Sequence, residues 1–276
     1  MQIGFHLSVA KGFDWTLAEA RRLGCEVVQI FVKNPRGWQE RAYTDAQRES
    51  FARLRAAVPV YAHLSYLPNP ARIDENSRNL EGMLHEASLC AELGIEWLII
   101  HCGSREDTKR GMATVARAVN EVLERHDLTI VLENAAGQGN ALGRTIDELG
   151  RIYEGIERQD RVLVCIDTAH IFEAGYDVRK RATWRRIVRE VDRHLGPGKI
   201  GFFHFNDSKT DLGSAVDRHW HIGQGKIGLD TFRYLMNEER FAHLRGVMET
   251  PKMGGMDDKN MEVMRSLSSL VPRPPS

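Results

Sequence analysis

The 276 residues read as an α/β chain folded as one (β/α)8 barrel in a single domain, 1–276. Three observations predict this. Eight apolar, mostly β-branched runs of strand length recur along the chain. Amphipathic stretches with helical spacing alternate with them. No linker, composition break or internal repeat divides the chain, and barrels of this kind have roughly 250 residues.

The runs are "IGFH" (3–6), "VVQIFV" (27–32), "VPVYAH" (58–63), "WLIIH" (97–101), "TIVLEN" (129–134), "VLVCIDT" (162–168), "IGFFHFND" (200–207) and "GVMET" (246–250). The middle ones are continuously apolar, as parallel strands covered on both faces require. Helical spacing marks 15–24, 77–94 and 111–126. Gly24 and Gly94 follow leucine at the ends of the first two and read as helix-terminating glycines. The tail "VPRPPS" (271–276) is too rich in proline for a helix and is expected to fray.

Composition is that of a soluble globular protein, with 42% hydrophobic and 28% charged residues. No apolar run approaches the roughly 20 residues of a membrane span. The start "MQIGFHLSVAKGFD" lacks the basic and apolar regions of a secretory signal. Four scattered cysteines without a CxxC pair suit a reducing compartment. We therefore expect a cytoplasmic protein with no membrane partner. Formal net charge is zero, so any affinity for nucleic acid must come from a local basic patch.

Most of the runs end in a residue able to bind metal. They deliver His63, His101, Glu133, Asp167 with His170 three residues on, His204 and Glu249. In a parallel barrel all C-terminal strand ends surround one mouth. The loop "DRHWHIGQG" (217–225) adds Asp217 and His219, giving four carboxylates and five histidines in one bowl. One strand-end histidine is commonly a hydrogen-bonded core residue, and Asp-x-x-His can simply cap a turn. Six consecutive strands sending ligand types to one face are not explained that way. Crowded carboxylates repel one another unless cations neutralise them. Mixed imidazole and carboxylate suit zinc or manganese better than magnesium or calcium. Nine ligands exceed one tetrahedral site, so two or three ions are implied. A carboxylate spanning two metals is a device for phosphoester hydrolysis.

The segments "YAHLSYLPN", "LENAAGQG", "CIDTAHIFEAGYD", "HFNDSKTDLGSAVDRHWHIGQGKIG" and "METP" occur in an order that resembles the endonuclease IV family over nearly the whole chain. These are TIM-barrel endonucleases that cut DNA at abasic (AP) sites in base excision repair. The resemblance implies three Zn2+ ions per chain, with Mn2+ as the alternative at one site. His63 and His101 would hold the first and Glu133 would bridge the first and second. Asp167, His204 and Glu249 would complete the second, and His170, Asp217 and His219 would hold the third. The implied reaction is hydrolysis of the phosphodiester 5′ to the abasic site by a zinc-bridging hydroxide. It leaves a 3′-hydroxyl and a 5′-deoxyribose phosphate, and 3′-phosphodiesterase activity is expected beside it. No GxSxG elbow or P-loop motif offers a competing nucleophile or phosphate cradle.

The resemblance also implies that the partner is double-stranded DNA, bound by a monomer through strand-end loops. Tyr66 and Leu67 match the segment inserted into the duplex, and Arg36 in "KNPRGW" matches an intruding arginine. Lys33, Lys209 and Arg218 are further candidates for phosphate contact. Departures from the family pattern are Cys102 and Ser104 in "HCGS" where "HPG" is usual, Ala135 for threonine, and Glu173 for alanine. Glu173 is expected near the DNA face. The alternative function is a metal-dependent sugar isomerase or epimerase of the xylose-isomerase-like barrels, which has no use for a third metal site.

Overall fold

The computed structural model describes residues 1–268, so the tail expected to fray lies outside them. Eight parallel strands close into a barrel in the order β1-β10-β7-β6-β5-β4-β3-β2. They are β1 (Gln2–His6), β2 (Val27–Phe31), β3 (Val60–His63), β4 (Trp97–His101), β5 (Thr129–Glu133), β6 (Val162–Asp167), β7 (Ile200–His204) and β10 (Arg245–Met248). Between the last two, β8 (Asp207–Ser208) and β9 (His219–Trp220) pair antiparallel outside the barrel. The helices are α1 (Phe13–Leu23), α2 (Asp45–Ala57), α3 (Ser77–Leu93), α4 (Thr108–Arg125), α5 (Ile146–Glu154), α6 (Thr168–Glu173), α7 (Arg181–His194), α8 (Leu229–Asn237) and α9 (Met256–Leu267). No helix among the described residues is long and apolar enough to cross a membrane.

Local chemistry explains the boundaries. Thr44 and Gln47 form a reciprocal capping box that starts α2. Gly24 and Gly94 end α1 and α3 at φ 65° and 67°, a left-handed turn that glycine makes without a side-chain clash. Six of the eight runs read as strand are trimmed at one end in the structure, and two of those ends have a local cause. The run at 162–168 stops at Asp167, whose carboxylate accepts the Ala169 and His170 amides and so starts α6. The run at 200–207 stops at His204, and Asp207 leaves the barrel to enter the β8–β9 hairpin. Apolarity alone cannot distinguish a barrel strand from the buried turn that follows it.

The barrel interior is layered. Val27, Tyr61, Ile99, Val131, Cys165, Phe202 and Val247 form an apolar plug from seven strands. The eighth strand supplies Gly4, where a β-carbon would lie 1.7 Å from the Val27 carbonyl oxygen. Only glycine fits that approach. A larger apolar shell between sheet and helices includes Trp184, Ile187 and Val191 from one face of α7. Trp184 is fully buried and its indole N–H donates to the Val178 carbonyl at 2.9 Å. Burying such side chains contributes about 1.5–3 kcal/mol each.

Candidate metal centre

Two residues beyond each plug position the strands deliver His6, Gln29, His63, His101, Glu133, Asp167, His204 and Glu249. A strand period of two keeps each of these on the same inward face as its plug residue. Glu133, Asp167 and His204 are fully buried, His63 and His170 nearly so, and Asp217 is half exposed at the rim.

The ligand atoms converge in three groups, within 4.8 Å of one another in each. The first is His63, His101 and Glu133, with imidazole nitrogens 3.0 and 3.7 Å from Glu133 Oε2. The second is Glu133, Asp167, His204 and Glu249, in which His204 Nδ1 lies 2.9 Å from Glu133 Oε1 and 3.4 Å from Glu249 Oε2. The third is Asp167, His170 and His219. Asp217 Oδ1 stands against this third group, 3.4 Å from His170 Nε2 and 3.6 Å from His219 Nε2. Glu133 is thus common to two groups, and Asp167 to two.

Hydrogen bonds set the histidine tautomers. His63 Nδ1 lies 2.7 Å from the Leu64 carbonyl, and His170 Nδ1 lies 3.0 Å from the Asn134 carbonyl. His219 Nδ1 lies 3.3 Å from the Glu249 carbonyl. A carbonyl only accepts, so each Nδ1 carries a proton and each Nε2 is the nitrogen turned to the bowl. His204 is reversed. Its Nε2 donates to Gln29 Oε1 at 2.9 Å, which leaves Nδ1 facing the acids. His170 Nε2 and His219 Nε2 lie 3.1 Å apart. With Asp217 Oδ1 near both and Asp167 Oδ2 3.4 Å from His219 Nε2, nitrogen and carboxylate donors converge on one space, and the residues fit a metal by donor type and placement.

The imidazoles hold the carboxylates ionised. Burial pushes the Glu133 carboxyl up, but His101, His204 and His170 outweigh it and hold the group well below the usual carboxylate range. Burial likewise opposes ionisation of Glu249, and His204 and His6 bring it well below its ordinary value. His170 and His204 are raised against the effect of burial, His170 by Asp167 and Asp217 and His204 chiefly by Cys165 and Glu133. Outer partners orient the acids. Asn206 donates to Asp167 Oδ2 at 2.7 Å and accepts the Glu249 amide at 2.8 Å.

Two residues at this level, His6 and Gln29, carry no sequence assignment. Gln29 donates to Glu249 Oε1 at 2.6 Å while accepting from His204, so one amide orients two candidate ligands. His6 Nδ1 also reaches Glu249 Oε1, at 2.9 Å. Their signals are present in the sequence: a histidine ending the first apolar run, and a lone polar residue inside "VVQIFV".

The bowl opens into a cavity of about 1020 Å³ lined by candidate ligands and by Lys33, Arg36 and Tyr66. Tyr66 is 59% exposed, its ring set edge-on to Phe31 at 5.1 Å. Its loop is anchored from beneath, because buried Glu86 accepts the amide and hydroxyl of Ser65. Leu67, Lys209 and Arg218 do not line the cavity. Lys209 lies over the Trp220 ring at 4.3 Å, and Arg218 donates to the Asp217 carbonyl. Cys102 is fully buried with its sulfur turned to the Glu133 carbonyl, 3.8 Å away.

One local expectation is corrected. Glu173 does not face the solvent side of the mouth; it is fully buried behind the hairpin. The glycines of "HIGQG" serve the interior, since the Gly223 and Gly225 amides donate to Asp207 Oδ2 at 2.9 and 3.1 Å. A β-carbon on Gly225 would lie 2.5 Å from Asp207 Oδ1. His221 is buried beside Asn260, away from the bowl.

Fold and site together define a xylose isomerase-like TIM barrel, the family whose description matches residues 17–270. The chain is 39% identical to a Chloroflexus aggregans protein named probable endonuclease 4, over 96% of this chain and 97% of that one. It superposes on the crystal structure of endonuclease IV from Thermus thermophilus with a TM-score of 0.85 and 33% identity, covering 97% and 98% of the two chains. The chain belongs to the endonuclease IV family. A D-tagatose 3-epimerase-like protein shares the fold alone, with a TM-score of 0.74 at 17% identity over 97% of both chains.

Proposed function

We propose that this protein is a zinc-dependent AP endonuclease of DNA base excision repair. It hydrolyses the phosphodiester 5′ to an abasic site in duplex DNA, leaving a 3′-hydroxyl and a 5′-deoxyribose phosphate, and trims blocked 3′ ends. The observation that carries the reading is the set of three ligand groups joined through Glu133 and Asp167. Relatives named endonuclease 4 support it.

Bound zinc supplies a hydroxide nucleophile at neutral pH and neutralises charge on the phosphate. The chain's own residues do the rest. His63, His101 and Glu133 make the first site, and Glu133, Asp167, His204 and Glu249 the second. His170, His219 and Asp217 make the third, Asp167 standing at its inner edge. Tyr66 and Leu67, with Arg36, enter the duplex at the lesion, where unstacking costs least. Lys33, Lys209 and Arg218 meet phosphates around the mouth. The protein acts as an intracellular monomer on chromosomal DNA.

Zinc-loaded protein is expected to nick a duplex containing a tetrahydrofuran abasic analogue. Chelation should abolish cleavage, and Glu133→Ala should nearly do so. No cleavage, together with turnover of a ketose, would instead establish the sugar-enzyme alternative.

A further inference from the structure

The third ligand group is drawn from two places, and one side chain joins them. Short helix α6 carries His170 and, three residues on, Glu173. Asp217 and His219 come from the hairpin region that follows β8. Glu173 Oε1 accepts from Ser208 Oγ at 2.7 Å, Thr210 Oγ1 at 3.1 Å and the Arg218 amide at 3.2 Å. Its own carbonyl accepts the Ala215 amide at 3.0 Å, and the Phe172 carbonyl accepts the Gly213 amide at 3.1 Å. The segment from 208 to 218 is therefore attached to α6 at its start, middle and end.

Three further facts give this arrangement weight. Arg218 lies between Asp217 and His219, so the bond to its amide fixes the backbone that aims both side chains at His170. Ala215 has φ 54°, the one non-glycine residue with positive φ among the described residues. Such a conformation costs about 1–2 kcal/mol and persists only where surrounding contacts impose it. Glu173 is fully buried and its Oε2 has no hydrogen-bond partner. A residue kept there for packing alone would not be a carboxylate with one oxygen unsatisfied.

We propose that Glu173 is the positioning residue of the third ligand group, docking the 208–218 segment onto α6 so that Asp217 and His219 face His170. This rests on the proposed metal centre only for what the three ligands hold. It assigns a role to a residue at which this chain departs from the family pattern.

The test compares wild type with Glu173→Ala and Glu173→Gln. Amide hydrogen exchange is read on the metal-free proteins, and zinc stoichiometry and affinity by chelator competition. In Glu173→Ala, protection at Arg218 and Ala215 is expected to fall at least ~10-fold, and one zinc of the set to bind ~10–100-fold more weakly. Glu173→Gln retains an acceptor oxygen and should restore most of both. Unchanged protection and unchanged zinc affinity in Glu173→Ala would overturn the proposal. Should that variant not fold, Ser208→Ala and Thr210→Ala carry the same two readouts with the same criteria. A wild type that binds fewer than three zincs defeats the metal reading, while exchange at Arg218 still decides the role of Glu173.

Discussion

On each strand of this barrel, two interior layers lie one inward-facing step apart. The lower layer, including Val27, Ile99, Val131 and Phe202, is an apolar plug. The upper layer, at Gln29, His101, Glu133 and His204, is polar throughout. Both layers are largely buried, and both hang from the same strands. The plug is satisfied by its own contacts. The upper layer instead gathers the donor atoms of Glu133, Asp167, His204 and Glu249 around one space. Burial by itself therefore does not tell a structural layer from a functional one. What differs is whether the layer's polar donor atoms converge on a common space.

The sharpest way to break this contrast is to put a charge one step too low. Val131→Asp would bury an uncompensated carboxylate in the plug, and urea unfolding should show a loss of ~3–5 kcal/mol. A loss under about 1 kcal/mol would mean that the lower layer is not dry.

Removing metal from the upper layer should come next in size. At free zinc 100-fold above its Kd, the loaded protein gains about 2.7 kcal/mol over the chelated one. Thermal melts with and without chelator measure this, and identical melts would mean that the bowl neutralises itself.

Gln29→Leu tests whether the upper layer needs its outer partner. It makes the mouth position resemble the plug while removing the bonds to His204 and Glu249. Zinc affinity should fall ~10-fold or more with the fold intact. Unchanged affinity would reduce Gln29 to filler.

The smallest effect lies outside the barrel and serves as a control. Asp74 is held at about 2 instead of 3.8, chiefly by its hydrogen bond from Arg105, with Arg110 adding to it. Because the folded value is the lower one, its stabilisation is present in full above pH 3.8 and fades as pH falls through about 2. Asp74→Asn should flatten that part of the acid-unfolding curve and leave zinc binding unchanged. An acid answered by arginines has no need of metal; a change in zinc affinity would contradict that.

Much of this was readable from residue order. The apolar runs mark the barrel strands because a parallel strand covered on both faces has to be apolar. The residues ending those runs mark the mouth because all C-terminal ends share one side. What escaped has a physical cause in each case. Gln29 and His6 bind no chemistry by motif, and only packing shows which candidate ligands they orient. The glycines of "HIGQG" have the same pattern whether they approach a ligand or wrap Asp207. Glu173 looks like a surface charge on a polar loop, yet the hairpin folds over it.

Residue order by itself determined the barrel, its strand positions to within a few residues, and the donor types at its mouth. These follow from period and composition, which are local. Tertiary structure alone decided which donors share a group, which imidazole nitrogen faces inward, and which carboxylates are anchors. Those depend on contacts between residues far apart in the chain, such as Glu133 with His204 and Glu173 with Arg218, and distance in space is not written in local pattern.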